Sequence, residues 1–141
     1  MMDNDWRIRR IRREAALAAA AFSETKTVDV DPDGGTWVVL RDMPLPAGYN
    51  RAVTDVLFQL PGSYPRTPPD WFFCDPGLRC RGRRPGHYFE VRSGRSAPTL
   101  RGWAACSLHL RSWRPSDDPL RGNSLLSLCS LAADAFARWR R

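Results

Sequence analysis

The feature that most limits how this chain can fold is a set of prolines between two apolar runs, from Val56 to Pro76. Val56, Phe58 and Leu60 alternate onto one face, the period of a half-buried strand. Pro61, Gly62 and Ser63 stop that strand, and Trp71 to Cys74 forms a second short apolar run. Between them stand Tyr64-Pro65 and Pro68-Pro69. Each proline fixes its own φ, removes an amide donor and presses the preceding residue towards extended geometry. No helix passes through such a segment, and no central strand can use it. It reads as strand, stiff corner, strand, with Tyr64 placed to pack on a proline ring.

On the N-terminal side, Ile8, Ile11, Ala15, Ala18 and Phe22 recur at helical spacing, with Asp3 or Asn4 as a cap. Arg9, Arg10 and Arg13 fall opposite, on a solvated side. Residues 1–23 are therefore expected to form a helix. Arginines ahead of an alanine-rich run also have the outline of an export signal, but that run follows Glu14 directly and is mostly alanine, which favours the helix. No apolar run approaches membrane-spanning length, and a cytoplasmic location is expected. Lys26 to Val30 alternates as a strand with Val28 and Val30 inward, Asp31 to Gly35 is a turn, and Thr36 to Leu40 is a second strand. Pro44 to Asn50 leads into the third strand at Val53. A helix followed by four strands predicts an antiparallel meander with the helix against it.

Asp75 to Gly102 shows neither period and carries seven arginines (79, 81, 83, 84, 92, 95 and 101). Loops of this length are uncommon inside compact domains and are often functional. Within it, Tyr88 to Val91 is a candidate for a short extra strand. After Pro115, Ser116-Asp117-Asp118-Pro119-Leu120 has the caps and early proline of a helix start. Leu125, Leu128, Cys129, Ala132, Phe136 and Trp139 then form one stripe, while Gly122 weakens the first turn. The expectation is an α+β fold in one domain over residues 1–141 (N-terminal helix 1–23, long basic loop 75–102): an N-terminal helix, a four-stranded antiparallel meander, an irregular region and a C-terminal helix packed on the sheet.

Composition supports that reading. The chain has 141 residues, 43% hydrophobic and 26% charged, enough for a core. Four cysteines without regular spacing do not describe a disulfide framework and read as reduced thiols. A net charge of +7 favours acidic partners of any kind. The arginines are spread over the first helix, the long loop and the C-terminus rather than patterned with aromatics, so primary nucleic-acid binding is the weaker alternative. A zinc site drawn from Cys74, Cys80, Cys106, Cys129, His87 and His109 lacks the usual short ligand pairs, and no metal is expected. Neither a phosphate loop nor a dinucleotide fingerprint is present.

The series Leu60-Pro61-x-x-Tyr64-Pro65-x-x-Pro68-Pro69, followed by an aromatic strand, resembles the third and fourth strands of ubiquitin-conjugating enzymes. Cys106-Ser-Leu-His-Leu-Arg-Ser-Trp113-Arg-Pro115, ahead of an apolar helix, resembles that fold's active-site segment. The likeness runs from Val53 to the C-terminus and is nearest to the divergent prokaryotic ubiquitin-conjugating-like proteins. It implies a UBC-like fold and a transferase that takes a ubiquitin-like modifier from an ATP-dependent activating enzyme, holds it as a thioester and passes it to an amine in a bacterial pathway. Such a protein needs no cofactor of its own. The resemblance places the nucleophile at Cys106 and builds the groove from Tyr64, Pro65, Pro68, Pro69, Trp113 and Pro115. It also makes Arg9, Arg10 and Arg13, on the first helix, contacts to the activating enzyme.

The chemistry suits those residues. A thiolate is both a soft nucleophile and a good leaving group. His109, three residues beyond Cys106, would lower a thiol pKa or take the attacking amine's proton if a turn brought the two together. Ser107 is a weaker nucleophile that needs such a base and would carry an oxyester instead. Two departures stand out. The His-Pro-Asn of the eukaryotic enzymes is replaced by Pro85-Gly86-His87-Tyr88 with no asparagine, leaving backbone amides, an arginine, His87 or His109 as oxyanion donors. Cys106 also precedes Trp113 by seven residues, one short of the commonest eukaryotic spacing. A catalytically inactive module that binds modifier or activating enzyme is therefore the main alternative.

Overall fold

In a computed structural model of the chain, the residues described are 2–23, 25–31, 35–90, 97–108 and 110–139, with the side chains of 2–5, 25–31 and 35 left aside. The expected turn at 32–34, Arg92, Arg95 and His109 lie outside them, as do the side chains of Asp3, Asn4, Val28 and Val30.

Helix α1 (Met2–Phe22) is followed by strands β1 (Thr25–Asp31), β2 (Gly35–Pro44), β3 (Val53–Leu60) and β4 (Trp71–Cys74). Then come β5 (Tyr88–Phe89), a one-turn helix α2 (Ala97–Leu100), β6 (Ala104–Ser107) and helix α3 (Leu125–Trp139). The strands form one antiparallel sheet in the order β1-β2-β3-β4-β6-β5. The predicted meander is its first four strands. The segment expected to be irregular instead adds two more, because β6 returns along β4 with Phe72 opposite Cys106 and Cys74 opposite Ala104. Four residues without polar alternation carry too weak a period to be read as a strand, and pairing to β4 supplies what the sequence did not show. Within residues 75–102, β5 falls in the candidate strand Tyr88 to Val91, and the one-turn helix α2 was not expected.

One sheet face is the main core. Val38, Val56, Phe58, Leu60, Phe72 and Cys106 lie in it beneath Ile11, Ala15 and Ala18 of α1 and Leu128, Ala132 and Phe136 of α3, all buried. The period-2 set of β3 and the helical stripe of α1 thus meet as their spacings require. The other face carries a smaller cluster of Trp37, Val39, Leu57, Phe73 and Ala105, partly covered by Ala97 and Trp103, with the Arg101 guanidinium 4.5 Å above the Trp37 ring.

Helix α3 begins at Leu125, not near Ser116. The reason lies in a closed loop: Asn123 N–H donates to Arg114 O at 2.9 Å, and Arg114 N–H donates to Asn123 Oδ1 at 2.8 Å. At Gly122 a Cβ would stand 2.6 Å from Ser116 N and 2.8 Å from Arg114 O, so the chain passes too close to itself for any larger residue. Asp118 serves that loop, its Oδ1 accepting from Leu120 N–H at 3.0 Å. The cap is Ser124, whose Oγ accepts from Leu126 N–H at 3.1 Å.

The elements converge on Glu14, which is fully buried. Its carboxylate receives Arg10 Nε at 2.8 Å, Leu125 N–H at 2.8 Å and the Tyr64 hydroxyl, tying α1, the proline corner and the start of α3 together. Arg10 is therefore not a purely solvated residue, unlike the exposed Arg9 and Arg13. Burial, and then the Glu14 carboxylate, push the Tyr64 hydroxyl far above its ordinary pKa. Replacing Glu14 by alanine would leave the buried Tyr64 hydroxyl and Leu125 amide, and the part-buried Arg10 Nε, without this acceptor. We expect Glu14→Ala to lose about 3–5 kcal/mol in urea unfolding, and Glu14→Gln to lose less, since an amide oxygen still accepts two of the three.

Candidate active site and partner cleft

Strand β6 presents the two candidate nucleophiles to opposite sides, because successive strand residues alternate. Cys106 points into the main core and has no exposure (0%). It lies opposite Phe72 on β4 and Tyr88 on β5, and its Sγ is 3.5 Å from Cys74 Sγ. Burial, and after it the neighbouring thiol, push the Cys74 pKa well up. Both sulfurs are small apolar parts of the core here.

Ser107 is half-buried at the end of β6, on the other face. Its N–H donates to His87 O at 3.1 Å, and it pairs with Trp71. Trp71 and Phe89 are 42% and 45% exposed and meet edge to face at 6.0 Å, which gives this face an open aromatic pair beside the serine. His87 is exposed and takes φ 57°, a left-handed backbone that side-chain-bearing residues seldom adopt. Its carbonyl, rather than a side-chain amide, occupies the position next to the β6 backbone. His109 lies outside the described residues, so its relation to Cys106 and Ser107 rests on sequence alone.

Of the predicted groove residues, Tyr64, Pro65 and Trp113 meet, and Pro115 lines the same cleft as the first two. The Tyr64–Pro65 peptide is cis, and Trp113 Nε1 donates to Pro65 O at 2.7 Å with its ring 6.0 Å from that of Tyr64. Pro69 is buried, Pro68 half-buried and Pro115 exposed. The sequence did not show that Arg7 pins the corner to α1: Nε donates to Tyr64 O at 2.9 Å, Nη2 to Pro61 O at 2.5 Å and Nη1 to Thr36 Oγ1 at 3.2 Å. Burial lowers its pKa. The signal was there in outline, since proline corners leave carbonyls without strand partners and a guanidinium is the fork that satisfies several at once.

Around this junction opens a cleft of about 490 Å³, walled by Trp6, Arg7 and Arg10 of α1, by Tyr64, Pro65 and Arg66 of the corner, and by Pro115, Ser116 and Asp117. Arg10 Nη2 reaches across it to Ser116 O at 2.5 Å. Trp6 is 47% exposed and Arg66 is exposed, so the cleft offers an apolar ring and a cation at its mouth. Neither Cys106 nor Ser107 lines it. Of the predicted partner residues, Arg10 enters this wall, while Arg9 and Arg13 stay on the solvated side of α1. Among the described residues there is no cluster of histidine, cysteine and carboxylate side chains suited to a metal, and no helix long and apolar enough to cross a membrane.

Helix, antiparallel sheet and helix, joined at a proline corner and a Trp-x-Pro segment, define an α+β protein. A profile of the family described as Prokaryotic E2 family E matches residues 20–132, and the chain belongs to that family. No curated protein and no solved structure gives a match.

The packing makes a direct statement about thiol chemistry. Cys74, Cys80, Cys106 and Cys129 are all buried. We expect the four cysteines to resist a disulfide reagent in the native protein and to react together in urea. Rapid native labelling of Cys106 alone, mapped by mass spectrometry, would instead show that β6 opens.

Proposed function

We infer that this protein is the conjugating component of a bacterial ubiquitin-like modifier pathway, acting in the cytoplasm. It takes the modifier's C-terminus from an ATP-dependent activating enzyme, holds it as an ester on β6 and passes it to an amine. The observation that carries this reading is the docking of Trp113 on the Tyr64-Pro65 corner, at 2.7 Å, which anchors the segment following β6 against α1 and its cleft. Membership of the E2-like family supports it. The cleft is where the activating enzyme would dock, through Trp6, Arg66 and the exposed Arg9 and Arg13, with Arg7 and Arg10 holding its walls.

Burial favours Ser107 over Cys106 as the nucleophile in this conformation. An ester to a polypeptide needs room for the modifier's tail, and Cys106 has none, whereas Ser107 faces the open side of β6. In the charging step, Ser107 Oγ attacks the carbonyl carbon of the activating enzyme's thioester. A C–O bond forms, the C–S bond breaks, the thiolate leaves, and the hydroxyl proton passes to a base, for which His109 and His87 are the candidates. Attack by an amine then forms the C–N bond, breaks the C–O bond and returns a proton to Ser107. Transfer through Cys106 requires β6 to turn over first, exchanging the same bonds through sulfur. The burial of all four cysteines also favours a second reading, a non-catalytic module that only binds modifier or activating enzyme.

A charging reaction with ATP, the activating enzyme and its modifier, followed by intact mass, separates these. We expect a modifier-sized adduct that survives thiol reagent, yields to mild base, is absent in Ser107→Ala and persists in Cys106→Ala. A thiol-sensitive adduct lost in Cys106→Ala would move the ester to sulfur. No adduct, with the activating enzyme itself charged, would leave the binding module.

A further inference from the structure

Between β4 and β5 the chain leaves the sheet in an excursion that the transfer reading does not use. Cys80 N–H donates to Arg83 O at 2.8 Å and Arg83 N–H to Cys80 O at 3.0 Å, closing a two-residue turn. Its central residues take φ 53° (Arg81) and φ 78° (Gly82), the left-handed pair of a turn whose favoured sequence is Asn-Gly. Glycine accepts this freely; an arginine does not. The surroundings hold it in place. Arg81 N–H donates to Gly48 O at 2.8 Å, and a Cβ on Gly48 would stand 3.6 Å from Arg81 Nε and 3.7 Å from its Cγ, so the arginine stem runs over a glycine. Asn50 and Arg79 exchange two further bonds of 2.9 Å at its base.

Arg81, Arg83 and Arg84 are exposed, and no carboxylate among the described residues pairs with them. Arg79 shows the contrast, with Nη1 2.6 Å from Glu90 Oε1. A strained arginine, clamped by backbone and glycine beside two others and with no carboxylate partner among the described residues, points to a use outside the fold. Guanidinium forks match carboxylates in pairs, and a fixed stem reduces the ordering cost of binding. The turn runs on through Pro85 and Gly86 to His87, whose carbonyl holds Ser107 N–H at 3.1 Å, so it borders the transfer centre.

We propose that the Cys80–Arg84 turn is a docking finger for an acidic peptide segment of the acceptor, selecting amines that are flanked by aspartate or glutamate. The assignment of the occupant as acceptor rests on the transfer reading above. Nucleic acid fits less well, because the three charges are gathered on one turn rather than laid along a groove that tracks a phosphate backbone.

The test is fluorescence anisotropy with a labelled peptide carrying one lysine among aspartates and glutamates, and with oligothymidylate. The variant Arg81→Gln/Arg83→Gln/Arg84→Gln is compared with Arg111→Gln/Arg114→Gln/Arg121→Gln, which removes the same charge from other exposed positions. Peptide affinity is expected to fall about tenfold in the turn variant and less than about twofold in the control. Equal loss in both variants, no peptide binding by the unaltered protein, or tighter turn-dependent binding of oligothymidylate would each overturn the proposal. Activating enzyme and modifier are absent from this measurement, so a failure here is distinct from a failure to charge.

Discussion

A single buried carboxylate holds this molecule's parts in relation to one another. Glu14 accepts from Arg10 on its own helix, from the Tyr64 hydroxyl on the proline corner and from the Leu125 amide at the start of α3. Such a group is costly to desolvate, and it is tolerated only because its lone pairs are filled and a cation stands four residues away on the same helix. The Leu125 amide is also one of the unsatisfied donors of a helix N-terminus, so the carboxylate meets the positive end of α3. Remove this junction and three elements that are distant in sequence lose their common reference point.

The cleft follows from the same junction. Arg10 spends one nitrogen on Glu14 and another on Ser116 O, while Arg7, one turn earlier, satisfies the carbonyls that the proline corner cannot place in a sheet. Arg10, expected to face a partner, is thus committed to the wall, leaving Trp6 and Arg66 at the mouth. Holding a surface rigid in this way lowers the ordering cost of any partner that docks there.

Strand alternation sets the chemistry of β6. Between adjacent positions the chain changes from core to open face, so a thiol with no exposure and a half-buried hydroxyl share one short strand. Which of them a group from outside can reach is a question of facing, and facing is reversed by a shift of one residue in register. That register is fixed by pairing on both sides, Phe72 and Tyr88 flanking Cys106.

Local pattern determined a good deal. The alternation at Val56, Phe58 and Leu60, the helical stripe of α1 and the stop imposed by Pro61 need only backbone sterics and burial, and each lies where its spacing put it. The tyrosine–proline corner and Trp113 were also legible as partners through the family resemblance. What the chain could not declare was anything decided by distant neighbours. The strand at Ala104 to Ser107 exists because β4 offers an edge, and helix α3 starts late because Gly122 must pass within contact of the Arg114–Ser116 backbone. The burial of Cys106 depends on the register of that pairing. Sequence determined the elements with strong periods of their own; the tertiary structure decided the exposure of each reactive atom, because exposure belongs to the packed assembly and to no residue alone.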